Sequence, residues 1–572
     1  MLLRVSYLLI VCAVLSFFLY REIITSKHVR IFWYVLLTVL TMAVMYALNP
    51  NNRVYSYHGF IHAGIVYQVL NGTIPPLNPL LGGEPLLYPW GYHLLAAGIS
   101  RSLNLSPAYS FAVMNVALAA LAMVLAYKIS QTLVSSRSHN LFSALLTLAG
   151  ATVFNKQMID LIIYHVHINI ENLAIPYFIK FTNVNAAPLG IVLYLLFLLA
   201  YIKINQPGKY TLHYGTLLFL SVAGCGFFYP LMFPGILACT ATLFVAEIAF
   251  MSTDSQANNY KIFATKMIVI VVAVLFVLPY LNSLTGGDVA GKAKILSLTH
   301  VKRSALSCLV IALPVIALIL INFSTLKKTL NKYPTFVLLA SASANMVAYL
   351  VFHLHGNNEL KLFILSMASL GILGGISLRS STNWPMKHLA ALTLIPFLIP
   401  AISVLWLNVN VYADSPVTYE EDGRNITHTD ADKNELYQWI RSNTAQDAVF
   451  MDLDLDVPVF AQRQLFIAKD TKHSGKILAQ LGYGITMNAL LGAQSGYAPQ
   501  LLRQRSELID RLYDTKQELP LTELLDAAAR VGEIYIIARS IETQERFASP
   551  DFELVFMTSN RQFGIYSPVG AH

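Results

Sequence analysis

Residues 57–93 read YHGFIHAGIVYQVLNGTIPPLNPLLGGEPLLYPWGYH, a polar, aromatic and proline-broken segment set between apolar stretches long enough to cross a bilayer. From His58 to Leu70 the pattern fits a short amphipathic helix. Beyond it, Pro75, Pro76, Pro79, Pro85 and Pro89 forbid regular helix over most of the remainder. Such backbone must be surrounded by water or protein, because lipid satisfies none of its polar groups. The segment therefore reads as a folded loop outside the hydrocarbon, and its size suits a loop that carries a site.

Working outward, 56% of the 572 residues are hydrophobic and 12% charged, which excludes an ordinary soluble protein. The fold class expected is an α-helical polytopic membrane protein. Apolar runs near the ~20 residues that span a hydrocarbon core occur at 4–20, 31–48, 108–127, 140–155, 187–203, 211–228, 231–250, 264–282, 304–323, 334–353, 361–378 and 388–410. That gives about twelve transmembrane helices in a membrane domain over 1–410, with a large loop at 49–90. The first run lacks the small-residue cleavage pattern of a signal peptide and reads as a span.

Basic residues recur in alternate connections: Arg21, Lys27 and Arg30; Lys128 and Arg137; Lys203 and Lys209; Lys261 and Lys266; Lys327, Lys328 and Lys332; Arg379 and Lys387. By the positive-inside rule these face the cytoplasm, which puts the loop and both termini on the non-cytoplasmic side of a cytoplasmic (inner) membrane. Lys292, Lys294, Lys302 and Arg303 depart from the pattern, since they fall in an outer loop. The positive charge follows topology, so nothing points to nucleic acid.

Near Asn408 the composition turns soluble. Residues 411–572 carry 23 acidic and 15 basic side chains, leaving 8 and 24 for the first 410. A linker at 411–428 leads into an expected C-terminal soluble α/β domain over 429–572. Its helices are expected from Thr429 or Asp430 to Arg441 and over 473–482, 500–516 and 520–530, with buried strands at 448–452 and 533–538. It has no phosphate-binding glycine fingerprint, zinc spacing or nucleophile elbow, and its acids read as a solvated surface. Cys12, Cys225, Cys239 and Cys308 all lie in expected spans and form no disulfide framework.

Eight acids in 410 residues make a short list: Glu22, Glu84, Asp160, Glu171, Glu247, Asp254, Asp288 and Glu359. Glu84, Asp160, Glu171, Asp288 and Glu359 share the side of the loop, where an ionisable group at membrane depth is a candidate for function and an ordinary loop acid is the alternative. His58 and His62, four apart, share a helix face and suit either a divalent metal or a general base near neutral pH, against a plain interfacial role. Tyr164, His165, His167, Asn169 and Glu171 form a second polar cluster that can also be read as metal-binding. The segment HLHGNNELKLF from His353 to Phe363 is a third, in which Lys361 can hold a phosphate with His353 and His355 as auxiliary donors, or can merely snorkel. Lys180 and the Lys292–Arg303 group offer the same charge. Tyr88, Trp90, Tyr92 and His93 form an aromatic group of the kind that anchors a loop at the membrane interface.

Taken together, the loop phrases HGFIHAGIVYQVLNG, PPLNP and GGEPLLYPWGYH, the later GNNELK, and the transition to LYQWIRSNTAQDAVFMD resemble the GT-C superfamily of polytopic glycosyltransferases. That class uses polyprenyl-phosphate sugars and includes protein mannosyltransferases and aminoarabinose transferases. The resemblance implies transfer of a sugar from a polyprenyl-phosphate donor to a glycan, lipid or protein acceptor at the outer face of the membrane, by one inverting displacement. It also implies a base near the acceptor hydroxyl (His58, Asp160, Glu84 or Glu171) and cations such as Lys361 on the departing phosphate, with Glu359, His62, His165 and His167 among the groups lining substrate and Tyr88, Trp90, Tyr92 and His93 beside the sugar. The sequence departs from the family in placing His58 where such enzymes usually have an acid, and in an additional span ahead of the loop. A transporter or flippase of polyprenyl-linked saccharide, or a catalytically inactive assembly partner, are the other classes that fit this layout.

Overall fold

The computed structural model describes residues 59–149, 186–205, 211–251, 257–284, 294–321, most of 323–353, 358–377, 420–421, 424–425, most of 431–468, and 497–570. The chain divides into two compact units. The first comprises Met1–Leu48, Val113–Leu281 and Lys292–Ala413, and the second Asn49–Ala112, Asn282–Gly291 and Asp414–His572. The helices in chain order are α1 (Gly59–Leu70), α2 (Gly91–Leu103), α3 (Pro107–Gln131), α4 (Arg137–Ala149), α5 (Ala187–Lys203), α6 (Thr211–Phe228), α7 (Phe233–Met251), α8 (Ala257–Leu284), α9 (Leu298–Ile321), α10 (Phe323–Lys327), α11 (Tyr333–Val351), α12 (Leu360–Ser377), α13 (Ala431–Asn443), α14 (Pro499–Tyr513), α15 (Leu521–Val531) and α16 (Ile541–Phe547). The strands are β1 (Lys294–Ile295), β2 (Phe352–His353), β3 (Glu420–Glu421), β4 (Arg424–Asn425), β5 (Val449–Met451), β6 (Gln464–Leu465), β7 (Ile534–Ala538), β8 (Phe552–Met557) and β9 (Gly564–Pro568).

Among the described residues five helices are long and apolar enough to cross a membrane, within α3, α7, α8, α11 and α12, and α5 and α6 are shorter apolar helices. The expected spans 4–20, 31–48 and 388–410 lie outside the described residues. Between helices in lipid the hydrophobic effect supplies little, so small residues and interhelical hydrogen bonds do the joining. The first unit uses both. Gly371 and Gly375 form a small-xxx-small face that lets α12 lie backbone to backbone on α4, and Ser143 Oγ donates to the Ile372 carbonyl at 2.9 Å. Deeper in, the Tyr194 hydroxyl meets Ser369 Oγ at 2.7 Å, and Asn345 Nδ2 reaches Cys239 Sγ at 2.9 Å and the Ser341 carbonyl at 3.1 Å. This fully buried polar knot ties α5, α7, α11 and α12 together.

Lys266 departs from the sequence expectation. Instead of marking a connection, it is buried within α8, where its ammonium contacts Glu247 Oε1 at 2.7 Å, donates to the Tyr333 hydroxyl at 3.0 Å and lies 4.2 Å from the centre of the Tyr201 ring. A charge inside a span is retained only with partners of this kind.

The second unit is built on a five-stranded sheet of order β6-β5-β7-β9-β8. The β5 strand runs parallel to β6 and β7, with Val449 opposite Gln464 and Ile534, and β7–β9 and β9–β8 are antiparallel. Every residue of β7 is buried, as expected of a central apolar strand covered on both faces. Helices α14 and α15 each bury one face, through Leu508, Ile509 and Leu512 and through Leu524, Ala527 and Ala528, onto a core with Met451, Ile536, Phe547, Phe552 and Tyr566. Sequence patterning anticipated α13, α14, α15, β5 and β7 but not β6 or the β8–β9 pair; the 473–482 helix falls outside the described residues. Nor are all the acids here solvated: Asp452 is buried, and both of its oxygens accept from Arg539, at 2.7 and 2.5 Å.

The proline-broken loop belongs to this same unit. Helix α1 stops at Leu70 because Gly72, with φ of +91°, turns the chain through the left-handed region. The backbone then runs beside β6. Leu465 N–H donates to the Pro79 carbonyl at 2.9 Å, Ala468 N–H donates to the Leu80 carbonyl at 2.8 Å, and Gly82 N–H donates to the Leu465 carbonyl at 2.6 Å. A side chain at residue 82 would not fit, since a Cβ there would sit 2.6 Å from Val449 Cγ1. The protein surroundings demanded by that backbone are thus a sheet edge far along the chain. The expected two-sidedness of α1 is not found. Residues 62–69 are all buried, because Gly64 brings the helix against Pro79 and Pro458 on one side while His62 packs against His93 of α2 on the other.

Candidate functional site

Two constellations emerge, one in each unit. In the second unit, His62 and His93 stack with ring centroids 4.9 Å apart, and His62 Nδ1 lies 2.7 Å from His93 Nε2. Tyr88, Tyr92 and Phe111 surround the pair. His62, Tyr92 and His93 are buried, whereas Tyr88 and Trp90 are half-buried, Trp90 standing at the start of α2 and accepting the His93 N–H at 2.9 Å. Burial pushes the His62 imidazole down to about 3, and burial together with its neighbour holds His93 well below the usual histidine range. Both rings are therefore neutral at physiological pH, one nitrogen donating to the other. A base so weakened accepts a hydroxyl proton poorly, and the pair is suited to orienting α1 against α2.

Burial of His62 makes folding pH-dependent. The unfolded chain takes up a proton near pH ~6.5, and the folded one refuses it until about 3. Folding stability is therefore full above pH ~6.5 and falls as the pH is lowered from there toward 3, by about 1.4 kcal/mol per pH unit for this ring. Limited-proteolysis unfolding curves between about pH 7.5 and 4.5 should fall more steeply for the wild type than for His62→Gln. Parallel curves would contradict the neutral assignment.

Glu84 goes elsewhere. Its carboxylate accepts from Arg505 Nη2 at 2.8 Å, and Arg505 Nη1 also donates to the Gly82 and Phe466 carbonyls. The Tyr497 hydroxyl closes the same loop, donating to the Pro85 carbonyl at 2.6 Å and accepting from Leu87 N–H and Asn78 Nδ2. Gly83, Glu84, Arg505, Arg511, Glu523 and Arg530 line a cleft of about 500 Å³ in this unit. Neither Tyr497 nor Arg505 was legible as part of the site, since each lies more than 400 residues from the loop it fastens.

In the first unit, β1 pairs with β2 so that Lys294 stands opposite His353, and the following turn delivers His300 at the start of α9. Glu359 stands immediately before α12, where the N-terminal backbone dipoles favour an anion, and Lys361 is in the first turn of that helix. His300 Nδ1 and His353 Nδ1 lie 3.8 and 3.5 Å from Glu359 Oε1. Among the described residues this trio is a group able to hold a metal ion, its ligand atoms all within 4.8 Å of one another. Glu359 also acts electrostatically on Lys361. Sequence reasoning singled out His353, Glu359 and Lys361 but passed over His300, a lone imidazole in a run otherwise notable for its cations. His58, Asp160, His165, His167 and Glu171 lie outside the described residues.

No protein-family model and no curated protein sequence matches the chain. Solved structures do. ArnT from Cupriavidus metallidurans bound to undecaprenyl phosphate superposes with a TM-score of 0.52 at 10% identity, over 94% of this chain and 98% of that one. The same protein in the apo state gives 0.51. The arabinofuranosyltransferase AftD from Mycobacteria gives 0.51 at 13% identity, over 90% of this chain and 40% of that one.

The chain has the GT-C fold. At such low identity the likeness concerns the fold alone.

Proposed function

We propose that this multi-pass membrane protein is a glycosyltransferase that moves a sugar from a polyprenyl-phosphate donor to a glycan, lipid or protein acceptor at the outer face of the cytoplasmic membrane. The observation that carries the reading is the fold likeness, spanning nearly the whole of both chains, to an ArnT structure bound to undecaprenyl phosphate. The twelve-span layout and the outward-facing tail are part of the same proposal. In the reaction, the acceptor oxygen forms a bond to the anomeric carbon as the bond from that carbon to the phosphate oxygen breaks. The hydroxyl proton passes to a base, the lipid phosphate leaves, and the configuration inverts.

Lys361 supplies charge for the leaving phosphate. The base is assigned to His58, Asp160 or Glu171, because Glu84 is engaged with Arg505 and His62 with His93. Tyr88 and Trp90 are the aromatic groups assigned to the sugar; Tyr92 and His93 are buried in the support beneath them. Charges inside the spans would favour a flippase, but Lys266 and Glu247 are satisfied by each other and by Tyr333, which suits a structural pair.

The test is reconstitution of the full chain in vesicles with a panel of radiolabelled polyprenyl-phosphate sugars and membrane acceptors. Label appearing in the acceptor with release of lipid phosphate is the expected result. Translocation of intact donor without bond cleavage would overturn it in favour of a flippase.

A further inference from the structure

We infer that His300, His353 and Glu359 form a binding site for a divalent transition metal, with zinc the foremost candidate, which fastens the β1–β2 turn to the start of α12. This goes beyond the glycosyltransferase reading and does not depend on it. His300 Nε2 lies 3.0 Å from the Tyr349 carbonyl, a group that can only accept, so this nitrogen carries the proton and Nδ1 presents a lone pair. That lone pair is directed to the neighbourhood of a carboxylate oxygen 3.8 Å away, with the Ser304 hydroxyl as its other neighbour at 3.4 Å. His353 Nδ1 is buried, 3.5 Å from the same oxygen, and has no hydrogen-bond partner among the described residues.

Two imidazole nitrogens and a carboxylate oxygen thus converge within 4.8 Å of one another, with Glu359 4% exposed. One ion set among them can take all three donors. Adjacent ligands of a tetrahedral zinc with bonds of about 2 Å are about 3.3 Å apart, and the 3.5 and 3.8 Å separations approach this with small side-chain adjustments. The donor set is imidazole-rich, which selects zinc and its transition-metal neighbours over magnesium and calcium. The bond from His300 Nε2–H to a backbone carbonyl is the outer-shell contact that metal-bound histidines ordinarily make, because it fixes both ring and tautomer. With three protein ligands and His353 half-exposed, a fourth position stays open to water or an anionic oxygen.

The competing arrangement is a protonated histidine paired with Glu359, and the experiment separates the two. Untagged full chain in detergent is stripped with chelator, dialysed against zinc alone and assayed by elemental analysis. Stoichiometric zinc is expected in the wild type, with affinity at least about tenfold weaker in His353→Ala and in Glu359→Gln. In the wild type itself, zinc should protect His300 and His353 from diethylpyrocarbonate while leaving the exposed His213 reactive. Cobalt in place of zinc should give the visible absorption of a low-coordinate site. Equal zinc retention by the wild type and both variants, or a wild-type footprint unchanged by zinc, would overturn the inference.

Discussion

Lys361→Met is expected to reduce sugar transfer by about 100-fold or more, with most of the loss in kcat. Lys361 sits in the first turn of α12, an otherwise apolar helix, where the backbone dipoles already present positive potential. A cation is disfavoured at a helix N-terminus unless an anion is nearby. Glu359 is one such anion, and the proposed leaving phosphate is a second. Phosphate charge grows as the bond to the anomeric carbon breaks, so an ammonium placed there stabilises the transition state more than the bound donor. Loss of one preorganised donor of this type typically lowers turnover by about 10²–10³-fold. Lys361→Arg keeps the charge but alters its shape, and intermediate turnover is expected. The measurement is steady-state transfer from the donor that the wild type accepts, together with thermal melting to confirm that the variant folds. Turnover within about threefold of wild type would remove Lys361 from the chemistry.

The proline-broken loop shows where the sequence was informative and where it stopped. Five prolines and a double glycine established that residues 71–90 are irregular and must lie in water or protein, and that much is a local property of the chain. Which protein surface receives the loop is not local. Its acceptors and donors at Pro79, Leu80 and Gly82 meet Leu465 and Ala468, and nothing in the loop's own composition points to them. The histidines follow the same logic. His58 and His62 invite pairing because four residues separate them, yet the partner of His62 is His93, 31 residues on, brought back by the turn after α1. At the second constellation, the sequence marked His353, Glu359 and Lys361 as neighbours in the chain, while His300 arrives only through the two-residue β1–β2 pairing, too short to leave a strand signature. Among the described residues hydropathy located apolar helices, the run 264–282 with Lys266 inside it included, whereas the pattern of basic residues assigned Lys266 to a connection, because a count of charges does not register an ammonium hidden among Glu247, Tyr333 and Tyr201.

That buried pair supports the other large prediction. Lys266→Met alone, or Glu247→Leu alone, is expected to destabilise the membrane unit by about 3–5 kcal/mol, since each leaves an uncompensated charge buried among packed helices. Lys266 is 1% exposed and Glu247 7%, so solvent can do little to screen the orphan. Without the ammonium, the Glu247 carboxylate would be left with neutral donors such as the Tyr333 hydroxyl. The double variant Lys266→Met, Glu247→Leu removes both charges together with the desolvation cost that each carries, and it should recover most of the loss. A double-mutant cycle on unfolding in mixed detergent would therefore give a large coupling energy, with the double variant more stable than either single one. Additive losses would mean that the two side chains act independently, and that the packing of Tyr201 and Tyr333 around the lysine stem, rather than the ion pair, holds α5, α7, α8 and α11 together at this depth.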